Sequence, residues 1–229
     1  MGSHLTSLAA IVRSQVVGLD GVTKFSPNRR FASLYSEGSP ADTIFFVESG
    51  LVKIHRRGEE GKEIILQIIA PGELFGEQAL GMDHTRAVSA EVLQEGLIFA
   101  IPRDLFLGFC ESHPEMWRHI AMLAINRKRD LEKKIELLCL RDVEYRILYY
   151  LAELALTIGQ KAEEHEHSIP LSQGELASLI GATRETTSTT LNTLARRGLV
   201  RLGRRQLILS SLEGVRSAAT ERASRAAKV

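Results

Sequence analysis

The residues with the clearest chemistry lie at positions 183–190, where the chain reads TRETTSTT. Arg184 carries a forked cation that can donate two parallel hydrogen bonds to O6 and N7 of guanine, and Glu185 can accept one from N4 of cytosine. Ser188 and Thr189 follow one helical turn later, in reach of the next bases. Because threonine is a poor helix former, a threonine-rich helix that merely faces solvent is the weaker interpretation. The run therefore predicts a helix that recognises DNA bases.

Start and stop signals place this run on the second of two short helices. A capping serine is followed three residues later by glutamate, which completes a capping box, and glycines stand where the chain must turn. In chain order the predicted elements are the cap Ser172, a helix over residues 173–179, the turn residue Gly181, the cap Thr183, a helix over residues 184–197 and the final Gly198. Two short helices joined by such a turn form a helix-turn-helix, whose second helix enters the major groove of DNA.

A basic hairpin is predicted directly after the second helix. Residues 199–209 alternate between apolar and polar side chains, and Arg204 and Arg205 occupy the expected turn. Such a wing is placed to contact backbone phosphates. The predicted DNA contacts are Ser172, Gln173, Thr183, Arg184, Glu185, Thr187, Ser188, Thr189, Arg204 and Arg205.

A second group of residues has the chemistry of an anion site. Residues 71–80 read PGELFGEQAL, and Arg86 follows. Gly76 permits a close approach of the backbone, and a short helix from Glu77 would offer N–H groups to a phosphate. Arg86 supplies a forked cation for the same anion, and Glu77 could accept a hydrogen bond from a ribose hydroxyl. The alternative is that Glu77 and Arg86 form a structural ion pair.

Two sequence patterns indicate the elements that must position these groups. Residues 25–110 contain short apolar runs separated by glycines, which predict a compact antiparallel barrel or roll, with hairpin turns at residues 48–50 and 57–61. After Pro114 the chain has neither proline nor glycine up to about Leu140, which predicts one long helix. Its apolar stripe, expected to pair two copies of the chain or else to pack on the roll, is Ile120, Ala124, Leu131, Ile135 and Leu138. A further helix over residues 143–156 and a polar loop over residues 159–168 complete the prediction.

Composition narrows the class of protein. The net charge of the chain is +1, but the part from Leu171 to the end carries +6 and the remainder −5, so only the C-terminal part is suited to a polyanion. No apolar run has the length of a membrane span, and no secretion leader is apparent, so we expect a cytoplasmic location. Cys110 and Cys139 stand far apart and fit reduced thiols. The sequence shows no nucleophile motif, P-loop or paired catalytic carboxylates, so neither an enzyme nor a metal site is expected.

Two segments carry a family resemblance. GATRETTSTTLNTL at residues 181–194 resembles the recognition element of the CRP/FNR (cyclic-AMP receptor protein) family of bacterial transcription regulators, and residues 71–90 resemble its cyclic-nucleotide phosphate cassette. The resemblance covers nearly the whole chain. It implies an α+β fold with an N-terminal cyclic-nucleotide-binding, jelly-roll-like β-roll at residues 5–113, a long dimerisation helix at 114–141 and a C-terminal winged helix-turn-helix at 142–229.

The resemblance also implies an effector site and partners. The expected effector-binding residues are Gly76, Glu77, Gln78, Ala79, Arg86, Ala87, Arg127 and Leu131. The family's cyclic-AMP binders usually have serine or threonine where Ala87 stands, and present a threonine–serine pair where Leu131 and Glu132 stand. Thr189 likewise replaces a usual arginine. Cyclic AMP, another anionic small molecule and no ligand at all therefore stay open. The implied partners are double-stranded DNA with a near-palindromic site, a second copy of the chain and, for an activator, RNA polymerase; a cyclic-nucleotide module that acts on a protein partner is the alternative.

Overall fold

Short apolar runs and glycine turns build a strand-rich first half, and helices dominate the second. The computed structural model describes residues 8–27, 30–163 and 165–226. Its first unit joins the described residues up to Lys62 to Leu66–Asp130, and its second joins Glu63–Ile65 to the described residues from Leu131 onward. Residues 5–7 and 227–229 of the predicted domains lie outside the described ranges.

The predicted β-roll is confirmed. A helical segment over residues 8–16 precedes strands β1 (Thr23–Phe25), β2 (Ser33–Tyr35), β3 (Thr43–Val47), β4 (Leu51–Arg57), β5 (Glu63–Ile69), β6 (Leu74–Phe75), β7 (Ser89–Gln94) and β8 (Ile98–Pro102). They form two four-stranded sheets with the orders β1-β8-β3-β6 and β2-β7-β4-β5. The hairpin predicted at residues 57–61 joins β4 to its neighbour β5.

The prediction of a hairpin turn at residues 48–50 is wrong. It links β3 to β4, which belong to different sheets, so the chain crosses from one sheet to the other. The crossing is tight: a Cβ on Gly50 would lie 2.6 Å from the carbonyl oxygen of Gln94, and one on Gly96 would lie 2.1 Å from that of Ser49. A glycine turn looks the same in sequence whether it closes a hairpin or a crossing, so only the sheet partners distinguish them.

Strand β3 is buried on both faces and separates two apolar clusters. Ile44 and Phe46 point into the cluster that the segment 8–16 and the following helices cover. Phe45 and Val47, one residue out of phase, point into the cluster between the sheets. Because side chains alternate along a strand, a continuous apolar run such as TIFFV suits this position.

Two helices follow the roll. Helix α1 spans Arg103–Ser112, and helix α2 spans Glu115–Leu140, directly after Pro114. Within the predicted stripe of α2, Ile120 is partly buried and packs on the core of the first unit, as the alternative expectation for the stripe has it. Leu131 and Ile135 stay 45% and 61% exposed.

The second unit continues with α3 (Val143–Thr157), β9 (Gln160–Lys161), β10 (His167–Ile169), α4 (Gln173–Ile180), α5 (Arg184–Arg196), β11 (Val200–Gly203), β12 (Gln206–Leu209) and α6 (Leu212–Ala226). Its sheet has the order β11-β12-β10-β9. The loop predicted at residues 159–168 is therefore partly wrong, because β9 and β10 form there. His167 pairs with Leu209 and Ile169 with Leu207. The polar composition of the segment does not indicate such pairing, because the partner strand lies far along the chain. None of the helices in the described ranges combines the length and apolar character needed to cross a membrane.

Candidate DNA interface and effector site

The first helix of the helix-turn-helix begins with the predicted capping box. The Ser172 hydroxyl accepts a hydrogen bond from the backbone N–H of Glu175 at 3.2 Å, and the Glu175 carboxylate accepts one from the backbone N–H of Ser172 at 2.6 Å. Helix α4 ends at Gly181, whose φ of +66° favours glycine. A Cβ there would also lie 2.7 Å from Cδ2 of Leu138, so the turn packs closely against α2.

The second helix is capped as predicted. The Thr183 hydroxyl accepts a hydrogen bond from the backbone N–H of Thr186 at 3.1 Å. On the inner face of α5, Leu191 and Leu194 are fully buried. Gly198 follows the end of the helix with a φ of +74°. The predicted helix-turn-helix is confirmed, with α4 one residue longer and α5 one residue shorter than expected.

The structure brings the starts of both helices and the wing together. Thr183, Arg184, Glu185 and Thr189 are exposed at the start of α5, and Arg204 and Arg205 are exposed at the tip between β11 and β12. A cleft of about 510 Å³ is lined by Ser172, Gln173, Gly174, Arg184, Ser188, Gly203 and Arg205. The cleft combines cations, hydroxyls and an amide, which are the groups that bind phosphates and base edges.

Thr187 does not belong to the exposed face, so its predicted DNA contact is wrong. Its side chain is fully buried, and its hydroxyl donates to the carbonyl oxygen of Thr183 at 2.8 Å. Thr187 lies on the face of α5 that packs inward with Leu191, one turn further on. In sequence, one more threonine in a threonine-rich run gave no sign that it faces the core.

A Thr187→Val variant should retain base discrimination. The substitution keeps the buried shape and removes one hydroxyl, and the Thr183 carbonyl still accepts from the backbone N–H of residue 187. The free energy of unfolding should therefore change by about 1 kcal/mol or less. Urea denaturation and titrations of operator DNA measure the two quantities. A fall in discrimination to the level of a Thr189→Val control would contradict the inward placement.

Lys134 is a buried cation that the sequence analysis did not single out. It is 5% exposed, and its Nζ donates to the carbonyl oxygen of Ile65 at 2.8 Å and to that of Leu179 at 2.5 Å. Arg146 donates to the next carbonyl, that of Ile180, at 2.7 Å. Two cations thus satisfy the last carbonyls of α4, where the helix dipole favours positive charge. Burial, with a smaller contribution from Arg146, lowers the pKa of Lys134 to about 8.

The free energy of unfolding should consequently rise with pH through Lys134. Because the pKa of this lysine is about 8 in the folded chain and about 10.4 when unfolded, the unfolded chain binds more protons between those values. The free-energy penalty for burying the charge is complete below pH 8, and it disappears as the pH approaches the pKa of the lysine in the unfolded chain. Relative to Lys134→Met, the wild type should gain about 2 kcal/mol between about pH 7.5 and 9.5. Denaturation curves of the wild type, Lys134→Met and the half-exposed control Lys133→Met measure this. Equal pH slopes in all three would contradict it.

Arg86 lies inside the first unit, enclosed by main chain and aromatic rings. Its side chain is 2% exposed, and it donates to the carbonyl oxygens of Gly76 at 2.9 Å and Thr43 at 2.5 Å. Its guanidinium group lies 4.3 Å from the centre of the Tyr35 ring, which is beside Phe45. Burial lowers the pKa of Arg86, although Tyr35 and nearby carboxylates oppose this, and burial raises the pKa of Tyr35 to about 12.

Glu77 pairs with Arg127 rather than with Arg86. The Glu77 carboxylate forms a salt bridge with the Arg127 guanidinium group, which also donates to the carbonyl oxygen of Leu74 at 2.5 Å. The alternative expectation of a Glu77–Arg86 pair is therefore wrong. Arg127 and Arg86 thus contact the same cassette differently: Arg127 bonds to a carboxylate and to one main-chain oxygen, and Arg86 bonds to main-chain oxygens alone.

The remaining predicted effector residues have mixed placements. Glu77–Leu80 forms a single 3₁₀ turn, in which the backbone N–H of Ala79 donates to the carbonyl oxygen of Gly76. Ala79 is fully buried, so it does not offer the N–H donor expected of it. The Gln78 side chain accepts from the backbone N–H of Ala87 at 3.2 Å. Leu131 lies on α2 in the second unit, where it is exposed.

Comparison with known proteins finds a matching family for each of two parts of the chain. A family model described as a cyclic nucleotide-binding domain matches residues 29–113, and one described as a Crp-like helix-turn-helix domain matches residues 145–218. The first match contains Arg86 and the cassette, and the second contains the cleft between α4, α5 and the wing.

Relatives match over most of the chain. It is 31% identical over 182 residues to the CRP-like cAMP-activated global transcriptional regulator of Mycobacterium tuberculosis, covering 79% of this chain and 81% of that one. It is also 31% identical over 171 residues to the cyclic AMP receptor protein of Thermus thermophilus, covering 74% and 76%. The structure of a CRP-family regulator from Thermus thermophilus superposes with a TM-score of 0.74 at 25% identity, covering 86% and 96%. The chain therefore belongs to the CRP/FNR family of bacterial transcription regulators, and it is an effector-controlled DNA-binding regulator.

Proposed function

We propose that the chain acts as a homodimer that binds a near-palindromic operator through two copies of the cleft between α4, α5 and the wing. The observation that carries this proposal is the convergence of Ser172, Arg184 and Arg205 on one cleft. Arg184 and Glu185 recognise bases, and the wing and the start of α4 contact phosphates. The proposed contacts are the predicted set without Thr187: Ser172, Gln173, Thr183, Arg184, Glu185, Ser188, Thr189, Arg204 and Arg205.

The exposed apolar face of α2 supports the dimer. Leu131 and Ile135 are 45% and 61% exposed, and their spacing of four residues places them on one side of the helix. A symmetric pair of such helices would bury this stripe and set two recognition helices one DNA turn apart. In this proposal residues 5–113 sense the effector, residues 114–141 dimerise and residues 142–229 bind DNA. RNA polymerase is the further partner if the regulator activates transcription.

The effector is proposed to be an anionic small molecule, with cyclic AMP as the first candidate. Arg86 is a buried cation whose hydrogen bonds go to main-chain oxygens, and its Nε has no partner among the described residues. A phosphate or carboxylate would stabilise such a charge better than neutral carbonyls do. Ala87 offers no hydroxyl, and its N–H is already bonded to Gln78, so a phosphate receives less help here than in the family's usual cassette.

Two experiments test the proposal. Selection from random DNA should return an inverted repeat, and its affinity should fall steeply with salt because the wing contacts phosphates. A thermal-shift screen with cyclic AMP, cyclic GMP, 2-oxoglutarate and haem should show stabilisation by an anionic ligand at low concentration. Selection without any inverted repeat would contradict the dimeric operator complex. A shift by haem alone, or by no ligand at millimolar concentration, would contradict the anionic effector.

A further inference from the structure

Gly174 lies against the side chain of Arg184 inside the cleft. It is the second residue of α4, and a Cβ built on it would lie 3.1 Å from Nε and 3.4 Å from Cζ of Arg184. A side chain at residue 174 would therefore crowd the guanidinium group of Arg184.

The backbone does not explain a glycine at this position. The φ of Gly174 is not positive, and the residue stands in a helix, where alanine has a higher propensity than glycine. The α4 backbone would accept a side chain without strain. What a side chain would displace is the Arg184 guanidinium group, because the nearest atoms to the missing Cβ all belong to it.

We propose that Gly174 is a positioning residue for base recognition, which acts by leaving the space that Arg184 occupies. The inference rests on the proposed contact between Arg184 and guanine. An arginine side chain loses much rotamer freedom when it binds, and packing it beforehand against α4 reduces that loss. Two parallel hydrogen bonds to one base also require the planar group to lie in one orientation, which a small displacement would spoil.

Electrostatics favours release of Arg184 toward DNA. The guanidinium group lies beside the N-terminal turn of α4, whose N–H groups form the positive end of the helix dipole, and Arg205 lines the same cleft. Packing rather than charge therefore keeps it there in the absence of DNA. Acceptor atoms of a guanine relieve this repulsion, so the arginine gives up no favourable charge contact when it binds the base.

A competing explanation is that Gly174 lets the DNA backbone approach α4 directly. The two explanations differ in their dependence on Arg184. If Gly174 acts through Arg184, an added methyl group weakens base discrimination and has no effect once Arg184 is removed. If Gly174 makes room for a phosphate, the methyl group weakens binding to all sequences and does so equally without Arg184.

The test is a double-mutant cycle on the selected operator. Dissociation constants are measured for the wild type, Gly174→Ala, Arg184→Ala and the double variant, on the operator and on a copy with the guanine replaced. We expect Gly174→Ala to reduce the discrimination ratio by about threefold to tenfold and to add nothing to Arg184→Ala. Gly108→Ala is the matched control, since Gly108 also stands in a helix and no described residue outside that helix lies within 4 Å of its missing Cβ.

The outcomes separate this inference from the proposed function. Thermal denaturation of Gly174→Ala should show no loss of stability, because alanine favours the helix. If the wild type discriminates between the two DNAs and Gly174→Ala has the same discrimination ratio, the inference is overturned and the proposed function stands. An equal loss on every sequence, kept in the Arg184→Ala background, also overturns it in favour of direct DNA approach. A wild type without any discrimination contradicts the proposed function itself.

Discussion

Replacing Arg184 with alanine should weaken binding to the operator by about 2 kcal/mol, or about thirtyfold, and should remove the preference for one guanine in each half-site. Arg184 is exposed at the start of α5, and its side chain lines the cleft shared with Ser172 and Arg205. Its removal takes away both hydrogen bonds to the base. Binding to unrelated DNA should fall much less, since only one cation of a basic surface is lost.

The matched control for this prediction is Arg196→Ala. Arg196 is an exposed arginine at the other end of the same helix, so the two variants lose the same charge. Dissociation constants on the operator and on a guanine-substituted copy, at one salt concentration, give the discrimination ratio for each variant. Equal ratios in Arg184→Ala, Arg196→Ala and the wild type would mean that Arg184 contributes charge alone. Both variants should unfold within about 0.5 kcal/mol of the wild type, as exposed substitutions usually do.

The DNA-binding part was the most accessible to sequence reasoning because its signals are local. The capping box of Ser172 and Glu175, the turn at Gly181 and the cap at Thr183 each act over four residues or fewer. Such signals specify where a helix begins and ends without knowledge of the rest of the fold. The inward face of Thr187 was missed because α5 has threonines all round, so its periodicity was hidden.

Features that depend on distant partners were predicted less well. The turn at residues 48–50 carries the same glycine signal as a hairpin, and β10 exists because β12, 40 residues later, pairs with it. Lys134 belongs to the same class. A lysine on a helix is ordinarily solvated, and nothing within the helix indicates that two carbonyl oxygens from separate segments surround its Nζ.

In the effector cassette, too, the partners of the charged side chains could not be predicted from the sequence. The sequence singles out Arg86 and Glu77 for their charge, but it does not indicate their partners. Glu77 pairs with Arg127, and Arg86 donates to oxygens of Gly76 and Thr43. Thr43 stands on β3, more than 40 positions before Arg86, and a backbone carbonyl is present at every residue. No sequence pattern distinguishes the carbonyl that a buried arginine will choose.

Replacing Arg86 with alanine should lower the free energy of unfolding by about 3 kcal/mol. Two buried carbonyl oxygens would lose their donors, and a cavity would open beside Tyr35 and Phe45. The cost is moderated because the variant no longer buries a cation. Since a loosened first unit would bind any ligand poorly, loss of an effector response in this variant alone does not distinguish an anion contact from a structural role.

The distinction needs a conservative variant and a surface control. Arg86→Lys keeps the charge but cannot donate to both oxygens and to a ligand in one plane. Arg56→Ala, a control for stability alone, removes a half-exposed arginine that pairs with Glu37 and donates to the carbonyl oxygen of Ala87, which should cost about 1 kcal/mol or less. Chemical denaturation and ligand thermal shifts are measured for all of these. An Arg86→Ala variant as stable as Arg56→Ala would contradict the structural role. If Arg86→Lys folds with near-native stability yet shows no shift with the ligand that stabilises the wild type, the fork of Arg86 binds the anion, because the lysine variant retains both the charge and the fold and lacks only the planar fork of donors.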